Sequence, residues 1–324
     1  MINRKGIRRR QFLVGLVSVL ILHGCSRTQS IPPQASVDVR PRVVSTSTIL
    51  TNLTGEIAGD AIQLTGILKP GADPHIYEPI PTDSKTLEKA DLILYNGYDL
   101  EPSIIRLISA VGTKARKLAV GEVVPPIEMK EQGRKVPDPH VWGDVRNVIS
   151  MVVVVRDALI ELSPINRDRF TQNATQLRQQ LEQLDTWIRE QINTIPPVNR
   201  KLVTTHDAFQ YYARAYGLTL AGTLIGISTE EQPSAQTVQR LADSVRAAGV
   251  PAIFAETTIN PALIKTVAQE AGVELAPRQL YSDSLGAPGS GADTYIKMMV
   301  ANTTAIAQAL GGKVKPFKPK VATE

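Results

Sequence analysis

The 324-residue chain has a single cysteine, Cys25, so no internal disulfide can staple it and the fold must rest on its core. Nowhere does it contain a His-Glu-x-x-His motif or a Gly-x-Ser-x-Gly elbow, the marks of one class of zinc peptidase and of the α/β-hydrolases. Histidine is scarce, with four residues in all. A basic nucleic-acid face is also missing, despite a formal charge of +5 and a pI near 9.2. Five of the 36 basic residues lie in residues 1–24 and four in the tail from Lys313, against one acid, Glu324, in those two segments; the body keeps 27 basic and 30 acidic residues. A slightly acidic body does not bind nucleic acid by charge. What the chain does have is globular composition, 43% hydrophobic and 21% charged, with length for two domains.

Its beginning is built for export. Arg8, Arg9 and Arg10 precede an apolar run, residues 12–22, that has the length of a signal peptide and is too short to anchor in a bilayer. The run ends in Leu22-His23-Gly24-Cys25, which resembles a bacterial lipobox, where the cysteine is lipidated and becomes the mature N-terminus. Residues 26–41 suit a flexible polar tether behind that anchor. Arg9-Arg10-Gln11-Phe12-Leu13 resembles a twin-arginine motif, which would imply export in the folded state.

The rest is organised around residues 164–195, which the spacing predicts to be one long helix between two halves of similar size. Phe170, Ala174, Leu177, Leu181, Leu184, Ile188 and Ile192 recur at steps of three and four, as one narrow stripe on a polar rod. Ser163 is placed to cap it, Pro164 suits its first position, and Pro196-Pro197 ends it. At ~1.5 Å per residue it would reach on the order of 45 Å, the height of a two-lobed molecule.

On either side strands and helices alternate. The first half reads as strands over 42–46, 62–67, 92–95 and 117–120, with helices over 48–58, 82–90, 102–111 and 145–162, the last capped by Asp144; residues 151–155 also suit a strand, and 121–136 read as loop. The second half reads as strands over 201–205, 219–224, 252–255 and 274–279, with helices over 208–216, 234–248, 261–271 and 292–310. The expected fold is α/β: two (β/α)4 lobes with parallel sheets joined by one rigid helix. The expected boundaries are a signal at 1–24, lipidated Cys25 and tether at 25–41, a first lobe at 42–163, the rod at 164–195, a second lobe at 196–312 and a basic tail at 313–324.

His23 leaves with the signal. Each of the other three, His75, His140 and His206, sits where a strand or loop hands over to a helix, and ligands of open α/β sheets bind at the carboxyl ends of strands. Two of them stand in the tripeptide Asp-Pro-His, where proline fixes the approach and aspartate can hold either the turn or the imidazole N–H. Three imidazoles and a carboxylate suit a d-block dication, zinc first. For the carboxylate Asp73, Asp138, Asp207, Glu256, Asp283 and Asp293 all compete.

The order of motifs resembles the solute-binding proteins of zinc and manganese ABC importers, the helical-backbone metal receptors, over nearly all of residues 42–311. The resemblance rests on Asp73-Pro74-His75 followed by Tyr77-Glu78-Pro79, on Ala90-Asp91-Leu92 through Asn96-Gly97, and on Asp138-Pro139-His140-Val141-Trp142. It continues through Thr205-His206-Asp207-Ala208-Phe209, Phe254-Ala255-Glu256-Thr257 and Tyr281-Ser282-Asp283-Ser284-Leu285-Gly286. It implies one ion held between lobes by His75, His140, His206 and Asp283, in a monomeric lipoprotein outside the membrane that passes the ion to a permease. Histidine at position 206, where manganese and iron members have glutamate, argues for zinc; a loop at 122–136 without histidine is unlike many zinc members. Glu256 has two readings, a residue that orients a ligand and a strand-end acid in a surface ion pair. The rigid rod implies release by small lobe or loop movements. Two rival readings are a zinc hydrolase with an open coordination position and Glu256 as base, and a surface adhesin, as some relatives have been described.

Overall fold

The computed structural model describes residues 38–111, 114–131 and 133–319. The export segment, the twin-arginine motif, Cys25 and the tether up to residue 37 lie outside the described residues. Among the described residues no helix is long and apolar enough to cross a membrane.

The first half folds around β1 (Arg42–Ser45), whose Val43 and Val44 are buried on opposite faces of a sheet covered by helices. β1 lies between β2 (Gln63–Gly66) and β3 (Leu92–Tyr95), and β4 (Arg116–Ala119) pairs outside β3, all parallel, in the order β2-β1-β3-β4. The crossovers run through α1 (Thr48–Ala58), α2 (Pro81–Glu88) and α3 (Pro102–Ala110). Ser47 caps α1 by accepting the Leu50 N–H, and Gly59, at φ 56°, ends it.

Where loop was expected, an antiparallel hairpin forms from β5 (Glu128–Glu131) and β6 (Arg134–Pro137), turning at Gly133 with φ 80°. Its charged strands, EMKE and RKVP, bury too little apolar surface to show a strand pattern. Residues 151–155 lie inside α4 (Val145–Leu162), which Asp144 caps through the Arg146 N–H.

The rod is real but shorter and less exposed than its sequence suggests. Residues Pro164–Asn166 form a 3-10 turn, and α5 runs over Arg167–Asn193, about 40 Å at ~1.5 Å per residue. The Ser163 hydroxyl does not cap it; it accepts from Asn166 Nδ2 instead. All seven stripe residues are buried, and so are Asp185, Trp187 and Gln191, because helices from both halves and the chain's own tail cover α5. Trp187 Nε1 donates to the Lys315 carbonyl (2.9 Å), the Lys315 N–H donates to Gln191 Oε1 (2.8 Å), and the Phe317 ring stands edge-on to Trp187 with centroids 5.5 Å apart. The start of the basic tail is thus packed on the rod.

The second half repeats the order of the first. β7 (Lys201–Thr204) pairs with β8 (Thr219–Thr223), and β9 (Ala252–Ile253) with β10 (Glu274–Leu275), all parallel; the Phe254 N–H donates to the Val203 carbonyl (2.9 Å) and brings β9 beside β7. The helices are α6 (Gln210–Tyr216), α7 (Ala235–Ala248), α8 (Ala262–Ala271) and α9 (Tyr295–Ala309). The last strand stops short of residue 279 because Pro277 has no N–H for the ladder; pairing resumes as a parallel bridge between Glu256 and Leu280.

If the tail braces the rod, Trp187→Ala lowers the unfolding free energy by about 3–5 kcal/mol. Adding a deletion of residues 313–324 to that variant then costs less than the same deletion costs the parent, since the two share one contact. Denaturant titration of the four proteins measures both, and simple additivity would refute the shared contact.

Candidate metal centre

Two of the expected ligands are set by a local turn and two by partners distant in sequence. In the loop between β2 and α2 the His75 N–H donates to Asp73 Oδ1 (2.9 Å), with Pro74 fixing the bend. After β6 the same turn recurs: the His140 N–H donates to Asp138 Oδ1 (2.9 Å), and here the ring joins in, Nδ1 lying 2.8 Å from the same oxygen. Beyond β7, His206 is held by Glu256, which follows β9; Oε1 accepts the backbone N–H (2.8 Å) and Oε2 faces Nδ1 (2.5 Å). Asp283 sits in a loop tied on both sides. Trp142 Nε1 donates to the Ser282 carbonyl (2.9 Å), and the Leu285 N–H donates to Thr48 Oγ1 (2.9 Å).

These four side chains meet. One donor atom from each of His75, His140, His206 and Asp283 lies within 4.8 Å of the other three, and all four residues are at most 3% exposed. His75 Nε2 is 3.2 Å from His140 Nε2, His140 Nε2 is 3.3 Å from Asp283 Oδ1, and His206 Nε2 is 3.2 Å from Asp283 Oδ2. Bonds of ~2.0–2.1 Å to one tetrahedral ion put neighbouring donors ~3.3 Å apart.

The electrostatics has the same centre. With Nδ1 of His140 and His206 donating to Asp138 and Glu256, each Nε2 points inward, and in the neutral ring it presents a bare lone pair there. Among the described residues His206 Nε2 and Asp283 Oδ1 are buried without a hydrogen-bond partner, a cost that a cation or protons within the cluster relieve. Burial holds the His75 ring down to about 3; among the described residues no carboxylate hydrogen-bonds it. For His140 burial works in the same direction, but Asp138 and Asp283 outweigh it and push the ring up to about 9. His206 is raised well above the usual range, burial again being overcome by Glu256 and Asp283. Asp283 lies far below the ordinary carboxylate range, burial being outweighed by His206 and His140.

The competing acids are engaged elsewhere. Asp73 accepts from Thr229 as well as from His75, Asp207 from Gln210, and Asp293 pairs with Lys297. Glu256 has both oxygens on His206, which removes it as a free base. Sequence reasoning missed the supports behind the ligands. Tyr211 of α6 accepts the Ile127 N–H and donates to the Asp138 carbonyl, and Asn96 Nδ2 donates to the Pro139 carbonyl. Asn96 is held in turn by Glu101, a carboxyl that burial pushes up to about 7. Asn96-Gly97 was visible as part of a motif; nothing local marked Tyr211.

Known proteins resemble the chain in sequence and in fold. The chain is 33% identical over 296 residues to the manganese-binding lipoprotein MntA of Halalkalibacterium halodurans, covering 91% of this chain and 96% of the relative. It is 36% identical over 280 residues to the zinc-binding protein TroA of Treponema pallidum, covering 85% and 91%. The solved structure of that periplasmic zinc-binding protein superposes with a TM-score of 0.79 at 34% identity, over 84% of this chain and 99% of the other. Residues 43–309 match the sequence model of ZnuA, the zinc-uptake complex component A, periplasmic, and the chain therefore belongs to that family.

Proposed function

We propose that the protein captures one divalent transition-metal ion between its two lobes through His75, His140, His206 and Asp283, outside the cytoplasm, and delivers it to the permease of an ABC importer. The supporting observation is the convergence of four donor atoms within 4.8 Å in a site with almost no exposure. The relatives include a manganese-binding and a zinc-binding protein, so ligand chemistry decides. Three imidazole nitrogens and one carboxylate favour zinc, whereas manganese prefers more oxygen ligands and a higher coordination number. Cys25 serves as the lipid anchor and the protein acts as a monomer. Four protein ligands around one ion leave no position for an attacking water, and Glu256 is committed to His206, so capture without chemistry fits better than hydrolysis.

Charge balance gives this reading a quantitative consequence. Three carboxylates, Asp138, Asp283 and Glu256, face the imidazoles. Protons on His140 and His206 add two positive charges to them; a dication in place of both protons leaves the buried charge unchanged. Ion binding at neutral pH should therefore release about two protons. His140 titrates at about 9 and His206 above the usual range, so affinity rises with pH through the neutral region, by up to ~100-fold per pH unit. Calorimetry in buffers of different ionisation enthalpy counts the protons; a pH-independent affinity between pH 6 and 8 would contradict the exchange. Replacing His206 by Ala should weaken zinc binding by at least ~100-fold, with the circular dichroism spectrum kept. Zinc titration of that variant at parental affinity would remove His206 from the ligand set.

A further inference from the structure

The two Asp-Pro-His tripeptides are identical in sequence, yet their carboxylates hold different things. Asp138 turns Oδ1 on both the N–H and the ring of its own histidine. Asp73 holds only the N–H of His75 with Oδ1; its Oδ2 reaches the second lobe and accepts the hydroxyl of Thr229 at 2.7 Å, across 156 positions of sequence. Thr229 lies in the connection between β8 and α7 and is 9% exposed.

This difference singles out one ligand. The rings of His140 and His206 are each braced by a carboxylate, and the Asp283 loop is tied to Trp142 and Thr48. The place of His75 relative to the second lobe rests on its loop, which the Asp73–Thr229 bond holds from one side and the Gly71 N–H to Ser284 Oγ bond (2.8 Å) from the other. Asp73 and Thr229 also line a cleft of about 370 Å³ together with Ile76, Ile259 and Leu263, and Ile76 and Leu263 are exposed at its rim. The first of the two ties therefore stands beside an opening, next to the least braced ligand. An ion leaves a closed cage only when one ligand withdraws, and the ligand with the fewest restraints withdraws first.

We propose that Thr229 is a positioning residue for ion retention: its hydroxyl, latched to Asp73 across the lobes, holds the His75 arm on the ion and limits the rate of release. This inference rests on the metal-capture reading and goes beyond it by naming which ligand opens and what restrains it. Thr229 bonds Asp73 and is not one of the four ligands, so its loss changes kinetics while leaving the coordination sphere as it is.

The test uses the full chain loaded with zinc, and with cobalt as a spectroscopic stand-in, mixed rapidly with excess chelator. Thr229→Val keeps the shape and removes the hydroxyl; Thr229→Ser keeps the hydroxyl. Losing a hydrogen bond to a charged acceptor should speed release by about tenfold or more in Thr229→Val, with Thr229→Ser within about twofold of the parent. The cobalt visible spectrum should be the same in all three, which a general loosening of the site would not give. Release from Thr229→Val at the parental rate, or equally fast release from Thr229→Ser and Thr229→Val, overturns the latch. Should Thr229→Val fold poorly, Thr229→Ala is held to the same criterion. A parent protein that takes up no zinc would overturn the capture reading itself, an outcome distinct from either variant result.

Discussion

The constraint behind this structure is that bare lone pairs and three carboxylates are buried where water does not reach them. Such a set is costly unless positive charge sits inside it, because removing ionised groups from water costs several kcal/mol per ion before any attraction offsets it. His206 Nε2 and Asp283 Oδ1 carry that cost most visibly, being buried without a hydrogen-bond partner among the described residues. Every support around the site keeps it assembled in spite of this repulsion. Asp138 and Glu256 each fix a ring and a backbone N–H at once, so that neither histidine can turn its lone pair elsewhere.

The duplicated sheet order explains why such supports are available. Both halves place their first and third strands side by side, where the chain ends diverge and open a crevice. In the second half this position brings His206, after β7, against Glu256, after β9. In the first half Thr46, just after β1, and Glu101, just before α3, are joined by a 2.6 Å hydrogen bond. Glu101 fixes Asn96, and Asn96 holds the Pro139 carbonyl beside His140. Helix α5 packs against helices of both halves and ties them together.

Much of this was legible in the sequence, for reasons that differ from residue to residue. The alternation of strand and helix, the glycine stops at Gly59, Gly217, Gly249 and Gly272, and the stripe on α5 are local signals, and local signals survive folding. The three histidines stood out because there were so few and because each followed a strand or loop. The β5–β6 hairpin escaped because its strands are charged, and the early end of β10 because the effect of Pro277 depends on which neighbour the strand pairs with. Tyr211, Thr229 and the burial of Trp187 could not be read at all: each owes its role to a partner 73 or more positions away, and sequence spacing carries no information about such contacts.

The central claim, that residues from two lobes close one cage around a single ion, is tested most directly by zinc K-edge absorption spectroscopy on protein loaded with one equivalent. The account predicts four nitrogen or oxygen donors at about 2.0–2.1 Å, three with the multiple-scattering signature of imidazole, and no sulfur. Zinc bound through fewer than three imidazoles, or with a sulfur donor, would contradict it.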